Sequence, residues 1–478
     1  AASMTFYSAS FWGGLAILVA IHWRLPPAWR PLFLLLASLL FYGFADWHFL
    51  PLISLAFAID WALISRIYAA RSATGASSHR TARLLLALHV ALQVGILGAF
   101  KYADFFLDCL SGLLDRGQSD SLRLILPLGI SFYTFRSITY SVDVYRGRMR
   151  PALNPVDGFL YLSFFPTVQA GPIDRARDFL PQLRVFGTWT RAGILDGLDL
   201  IAWGLFKKLY VADNLARLVD PAYCTVDLTS GAAWVAYFGY AFQLYCDFSG
   251  YTDIARGVAG LLGIRVSENF RYPYLAFSPS EFWTRWHISL SSWLRDYLFA
   301  PLGGALRSRA RAYFNLMVTM LVAGLWHGAS WMFVLWGGYW GMLMVMHRIF
   351  QPSLRRFRSR LRSILPHRPR RVLEIALVFH LTCAGWLLLR SPNLGTLSSM
   401  IERLGQGRPS LLPTVAEQLA PYVIPLFLVE GLLLATRAPS LRHLARVPLC
   451  GLCAVYAVMF YLMALHGAQA QSFIYAQF

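Results

Sequence analysis

The sequence predicts an all-α, polytopic integral membrane protein with about eleven to twelve transmembrane helices plus short or re-entrant ones. Three observations carry this. Of 478 residues, 57% are hydrophobic and only 14% charged, against about 45–50% apolar and about 25% charged in soluble chains. Mean hydropathy is +0.49. Apolar runs of membrane-spanning length recur from residue 8 to residue 466. Length alone would allow roughly three soluble domains, but this pattern replaces them with one membrane domain over residues 4–478. Ala1 to Ser3, ahead of Met4, read as a cloning remnant.

Taken in order, the candidate spans lie near 8–22, 32–48, 50–66, 84–103, 123–142, 195–212 and 231–248, then 313–329, 331–348, 372–389, 419–436 and 447–466. Each approaches the roughly 20 residues needed to cross the hydrocarbon core, shorter ones by tilting or re-entering. The first lacks the basic leader of a cleaved signal peptide. Two stretches, 156–191 and 249–312, mix aromatic residues, Gly and Pro with many polar groups. Irregular or polar backbone is tolerated at membrane depth only where protein or a water-filled cavity surrounds it, so these stretches are expected to line a cavity.

The net charge of +19 is almost all arginine, the only lysines being Lys101, Lys207 and Lys208. The arginines fall in blocks between apolar runs: Arg66 to Arg83, Arg146 to Arg150, Arg307, Arg309 and Arg311, Arg355 to Arg371, and Arg437 to Arg446. Connections of the opposite parity lean acidic, with Asp104, Asp108, Asp115 and Asp120 in one and Asp213, Asp220 and Asp227 in another. Positive-inside placement produces this alternation and puts both termini outside the cytoplasm. A nucleic-acid footprint would gather basic and aromatic residues on one face, so no nucleic-acid partner is expected. The six cysteines, including Cys450-x-x-Cys453, read as small buried hydrophobes, and no metal is expected. His22, His48, His79, His367 and His443 lie at span ends or in loops and read as surface or interfacial.

Ionisable groups inside a membrane are costly and so are functional candidates. The densest set runs from Glu281 to Tyr297. Read as one helix, it pairs Glu281 with Arg285 and puts His287 and Ser291 on the next face, while Asp296 follows further along. Such groups either knit a cavity floor together or form its reactive wall. A second feature is Gly324-Leu-Trp326-His327-Gly328-Ala-Ser330-Trp331, between two apolar runs. The glycines permit close backbone approach or a broken helix. A lone imidazole there serves either as a hydrogen bond between helices or as a base near neutral pH. Neither a nucleophile elbow nor a phosphate-binding glycine loop is evident.

These residues carry a resemblance. Leu126 to Phe135 (LPLGISFYTF) with Val142-Asp143-Val-Tyr145-Arg146 comes first, then Gln169-Ala-Gly171-Pro172 and Gln243 to Asp253 (QLYCDFSGYTD). The Glu281 to Tyr297 stretch and Trp326-His327-Gly328 follow in the same order. The chain resembles the membrane-bound O-acyltransferase (MBOAT) family, in the bacterial branch that includes the alginate O-acetyltransferase membrane subunit. The likeness covers residues 5–350 well, and Phe473 to Phe478 is similar to the end of that branch. It departs at Gln169, where relatives often carry an apolar residue, and at Ala476, which replaces an aromatic.

The resemblance implies helices around a central tunnel, with a catalytic core of about residues 123–350, in a bacterial inner membrane. His327 corresponds to the family's catalytic histidine and His287 to its second signature polar position. Trp326, Ser291, Asp296, Gln169 and Asp247 would line the tunnel. It implies acetyl-CoA as donor rather than a tightly bound cofactor, with Arg307, Arg309 and Arg311 placed to attract its phosphates. It also implies an extracytoplasmic polysaccharide as final acceptor and a periplasmic or membrane-anchored SGNH-type partner. D-alanyl transfer to teichoic acid is the alternative on the same fold. A transporter without bond chemistry is the alternative from another class, although no internal duplication supports it; a structural scaffold is a third.

Overall fold

The computed structural model describes residues 6–73, 75–114, 124–225, 228–305, 308–364, 366–407, 411–444, 447–467 and 474. Ala1 to Ser3, Asp115, Asp120, Asp227, Arg307, Arg446, Phe473 and Tyr475 to Phe478 lie outside them. Among the described residues the chain is helical, with no strand. Its contacts group into two compact units, Ala1–Ile201 with Thr252–Ser267, and Ala202–Tyr251 with Glu268–Phe478.

The first half of the chain folds as α1 (Ala9–Arg24), α2 (Arg30–Asp46), α3 (Leu50–Ser72), α4 (Ala76–Leu113), α5 (Ile130–Tyr145) and the short α6 (Pro155–Ser163), α7 (Phe165–Val168) and α8 (Ala176–Phe179). The starts are written locally. Ser8 accepts from the Phe11 amide to cap α1, Asn154 caps α6 in the same way, and proline occupies the first turn of α2, α3 and α6, where its missing N–H costs nothing. Next come α9 (Arg191–Leu205), α10 (Asp213–Val219) and α11 (Ser230–Leu261). A π-helical segment, Phe206–Ala212, joins α9 to α10.

The remainder comprises α12 (Pro279–Arg285), α13 (Ile288–Trp293), α14 (Arg309–His327), α15 (Trp331–Ile364), α16 (His367–Arg390), α17 (Leu394–Gly405), α18 (Leu412–Thr436) and α19 (Leu449–His466). A second π-helical segment, Leu294–Phe299, follows α13. Helices α14 and α15 form a tight hairpin. A Cβ on Gly324 would strike the Phe333 carbonyl, and one on Gly337 would strike that of Met320, so glycine at both positions is what lets the two backbones touch.

Among the described residues, five stretches are long and apolar enough to cross a bilayer: Pro27–Ser72, which holds α2 and α3, Ala76–Ser111, Arg368–Arg390, Leu412–Thr436 and Leu449–His466. The other expected spans are also largely helical, although the one near 123–142 becomes helix only from Ile130, and α5, α11 and α14 carry buried polar groups such as Arg136, Gln243, Asp247 and Asn315. Protein rather than lipid covers those faces, so they need not be uniformly apolar.

Three expectations are corrected. His22 is fully buried, with its ring 5.3 Å from that of Phe186, because a segment distant in sequence folds over it. Only Cys246 and Cys383 are buried, whereas Cys224, Cys450 and Cys453 are exposed; α19 is buried along only 6% of its apolar window, so its surface is apolar without being core. The stretch from Glu281 to Tyr297 is not one helix: it breaks at Trp286 and His287, between α12 and α13.

Candidate functional site

His287, His327 and the aromatic residues around them belong to the second unit. Helix α12 starts at the Ser278 cap, whose hydroxyl accepts from the Glu281 amide. The Glu281 carboxylate accepts from the Phe277 amide at 3.0 Å and from the Arg285 guanidinium at 2.7 and 2.9 Å. The predicted pair therefore forms, and with Ser278 it makes a variant of the capping box. It fixes the start of a short helix that ends before His287.

His287 adopts a left-handed conformation, φ 42° and ψ 56°, which costs an L-residue roughly 1–2 kcal/mol. Long-range hydrogen bonds hold it there. The Ile288 amide donates to the Asn269 carbonyl at 3.0 Å, and the Ser289 amide to the Asn269 side chain at 3.1 Å. The turn projects a fully buried imidazole against Phe248, ring centroids 4.7 Å apart and perpendicular, and against Trp326 at 5.9 Å.

His327 is the last residue of α14 and is 4% exposed. Its ring meets Trp326 at 5.0 Å and Trp336 of α15 edge-to-face at 4.8 Å. Trp326 thus touches both histidines. Gly328 follows in extended backbone, and a Cβ there would run into the Phe333 ring. Outside this wall, Trp286, Trp340, Trp386 and Phe282 are almost wholly buried; Phe282 stacks on Trp340 at 5.0 Å, and Trp286 lies 4.8 Å from Trp386. Rigid aromatic packing of this kind fixes an imidazole's position without surrounding it with bulk water.

Ser291 and Asp296 part company. Ser291 donates to the Trp286 carbonyl at 3.1 Å and lines a cavity of about 330 Å³, together with Thr284, Thr319, Arg295 and Arg348. The cavity also reaches Ile288, the neighbour of His287. Asp296 instead pairs with Arg295 at 2.9 Å, with both side chains partly solvent-exposed. Arg309 and Arg311 are exposed on the first turn of α14.

Asp247 belongs to a buried charge cluster that sequence reasoning missed. The Lys208 ammonium lies 2.6 Å from Asp247 and 2.8 Å from Asp213, all three side chains being at most 2% exposed. The second Asp247 oxygen accepts from the Ile474 amide at 2.8 Å, and Lys207 donates to Ser249 at 3.0 Å. Asp213 was expected in an acidic external connection; here it neutralises a lysine in the interior. Two adjacent lysines inside an expected span were the available signal, since such charges are retained when paired. Phe248, next after Asp247, carries this framework to the His287 ring.

In the first unit, Gln169 follows α7 and is half-buried. Beside it, buried Arg136 donates to the carbonyls of Tyr161, Thr167 and Pro172 at 2.9–3.3 Å. The same unit contains a polar cluster that was not expected, built from α3, α4 and α5. Asp60 accepts from His89 at 2.9 Å, from Gln93 at 2.5 Å and from Ser137 at 2.7 Å, and all four are buried.

The comparisons with known proteins bear on this architecture directly. The model described as "MBOAT, membrane-bound O-acyltransferase family" matches residues 150–385, a range that includes both histidines. The "Probable alginate O-acetylase AlgI" of Azotobacter vinelandii is 37% identical over 383 residues, 80% of this chain and 73% of that protein. The "Peptidoglycan O-acetyltransferase" of Helicobacter pylori is 34% identical over 77% of this chain and 72% of its own length. The "Teichoic acid D-alanyltransferase" of Bacillus subtilis is 30% identical over 56% of this chain and 69% of its own. A helical membrane protein with buried histidines and relatives of this kind is an integral-membrane acyltransferase. The chain belongs to the membrane-bound O-acyltransferase family.

Proposed function

We propose that the protein transfers an acetyl group from cytoplasmic acetyl-CoA to a hydroxyl on the far side of a bacterial inner membrane, for O-acetylation of an extracytoplasmic polysaccharide. The observation that carries the reading is His327, buried at the end of α14 between Trp326 and Trp336, with His287 against the same indole.

An alcohol is a weak nucleophile at neutral pH, so a base must take its proton as it attacks. In this reading His327 accepts that proton while the alcohol oxygen bonds to the acetyl carbonyl carbon. The tetrahedral oxyanion is held by His287 or by a backbone N–H. It then collapses, the carbon–sulfur bond breaks, and the imidazolium gives its proton to the leaving thiolate. An ester and a free thiol result, with no net proton change.

The arginine-rich connections face the cytoplasm in this orientation, and both termini face the other side. Arg295 and Arg348 at the 330 Å³ cavity, and Arg309 and Arg311 on α14, suit the phosphates of coenzyme A. The acceptor is a glycan hydroxyl or a serine of an SGNH-type partner that completes the transfer. The relatives named for alginate and for peptidoglycan acetylation support a glycan destination.

The test is acetyl transfer from radiolabelled acetyl-CoA by the purified full chain in nanodiscs, with and without His327→Ala. Loss of label transfer in a variant that still unfolds cooperatively at the parent's temperature is expected. Undiminished transfer sinks the assignment of His327. Label transfer only from an acylated carrier protein moves the chemistry to the D-alanyl type.

A further inference from the structure

The second unit has another large cavity, about 570 Å³, to which the chemistry above assigns no role. It lies between α16 and α18, walled by Val372 and Phe379 on one and by Phe427 and Leu434 on the other, with Tyr245 and Tyr274 behind. Both helices are long and apolar enough to span a bilayer. Val372, Phe427 and Leu434 are 63%, 48% and 47% exposed, so the cavity opens through an apolar rim on the lipid-facing surface.

The two ends of this opening are not apolar. Arg368 and Arg371 stand in the first turns of α16, Arg371 immediately before the lining residue Val372. Arg437 caps α18 in a left-handed conformation, three residues after the lining residue Leu434. All three arginines are exposed. The cavity therefore sits at the arginine-bearing ends of both helices, the level at which basic residues meet lipid head groups. The one carboxylate in its wall, Glu430, accepts from the Tyr245 hydroxyl at 2.5 Å. It lies seven residues before Arg437, about 10 Å deeper along the helix. A carboxylate at that depth disfavours an anionic head group entering first and leaves tail-first entry.

We propose that this cavity is a resident site for an anionic phospholipid. One hydrocarbon chain fills the space between α16 and α18, and the phosphate rests at its mouth on Arg371 and Arg437. The site goes beyond the acyl-transfer reading and does not depend on it.

The test uses the full chain in nanodiscs of phosphatidylcholine with a minority of phosphatidylglycerol, stripped by mild detergent and weighed by native mass spectrometry. Retention of a phosphatidylglycerol molecule, enriched over its share of the bilayer, is expected. The double variant Arg371→Gln, Arg437→Gln should keep a bound lipid but lose about tenfold in preference for the anionic one. Ala376→Trp, which fills the cavity from α16, should lose the retained lipid altogether. A photoactivatable phosphatidylglycerol should label α16 and α18 peptides in the unmodified protein, so the proposal stays testable if the tryptophan variant fails to fold. No retained lipid, no enrichment of the anionic one, unchanged retention in a folded Ala376→Trp variant, or labelling confined to other helices overturns it.

Discussion

Two buried histidines, one in each compact unit, sit in opposite surroundings. His89 lies among hydrogen-bonding side chains, 2.9 Å from Asp60 and 3.1 Å from Ser137, with Gln93 on the same carboxylate. His327 is walled by Trp326 and Trp336 at the end of a helix. The first arrangement superficially has the composition of a catalytic triad, but its geometry is wrong for one. The carboxylate and the hydroxyl both meet the same ring nitrogen, Nε2, whereas a triad needs them on opposite nitrogens. Three helices share this cluster, and the hydrogen bonds that His89, Gln93 and Ser137 make to Asp60 tie them together. A histidine at a helix end beside rigid rings has a less obvious structural purpose, which is why residue type alone misleads and surroundings decide.

The sharpest way to break this contrast is to remove each imidazole. His327→Ala should lower transfer by about 10²–10⁴-fold while leaving thermal unfolding in detergent unchanged. The buried charge cluster should come next. Lys208→Met leaves Asp213 and Asp247 without their shared cation, a loss of about 3–5 kcal/mol in denaturant unfolding. His89→Ala should cost about 1–3 kcal/mol, with transfer per folded molecule retained. A folded His89→Ala protein that is inactive would undo the distinction drawn above. The smallest effect concerns backbone shape. At φ 42°, His287→Val should destabilise by about 1–3 kcal/mol, whereas His287→Asn, a residue that tolerates the left-handed region, should unfold near the parent's midpoint.

Much of the fold was legible because apolar length and arginine placement are local signals. The helix break after His327 could be anticipated from Gly328 and Ser330. The break at His287 could not, because Glu281 and Arg285 have helical spacing and do pair; what stops the helix is Asn269, 18 residues before His287 in the chain. The partners of Lys208 were hidden for the same reason. Asp213 follows it closely, but Asp247 arrives from α11, its other oxygen held by the Ile474 amide from near the C-terminus. His22 was misplaced because Phe186 is remote in sequence. Asp60 stood in an expected span, yet its meaning came only from side chains on two other helices.

The π-helical segment Phe206–Ala212 has a consequence for how this protein can tolerate change. Each i→i+5 turn accommodates a residue that a regular α-helix would not, so the phase of everything beyond it depends on residue count as well as on chemistry. Losing one residue there and relaxing to a regular helix would rotate the following side chains by about 100° about the axis relative to those before it. Lys208 could then no longer face both aspartates. A conservative substitution anywhere in 206–212 is thus a gentler event than a single-codon deletion that leaves hydropathy and charge intact, and length variation here is the change this segment is least able to absorb.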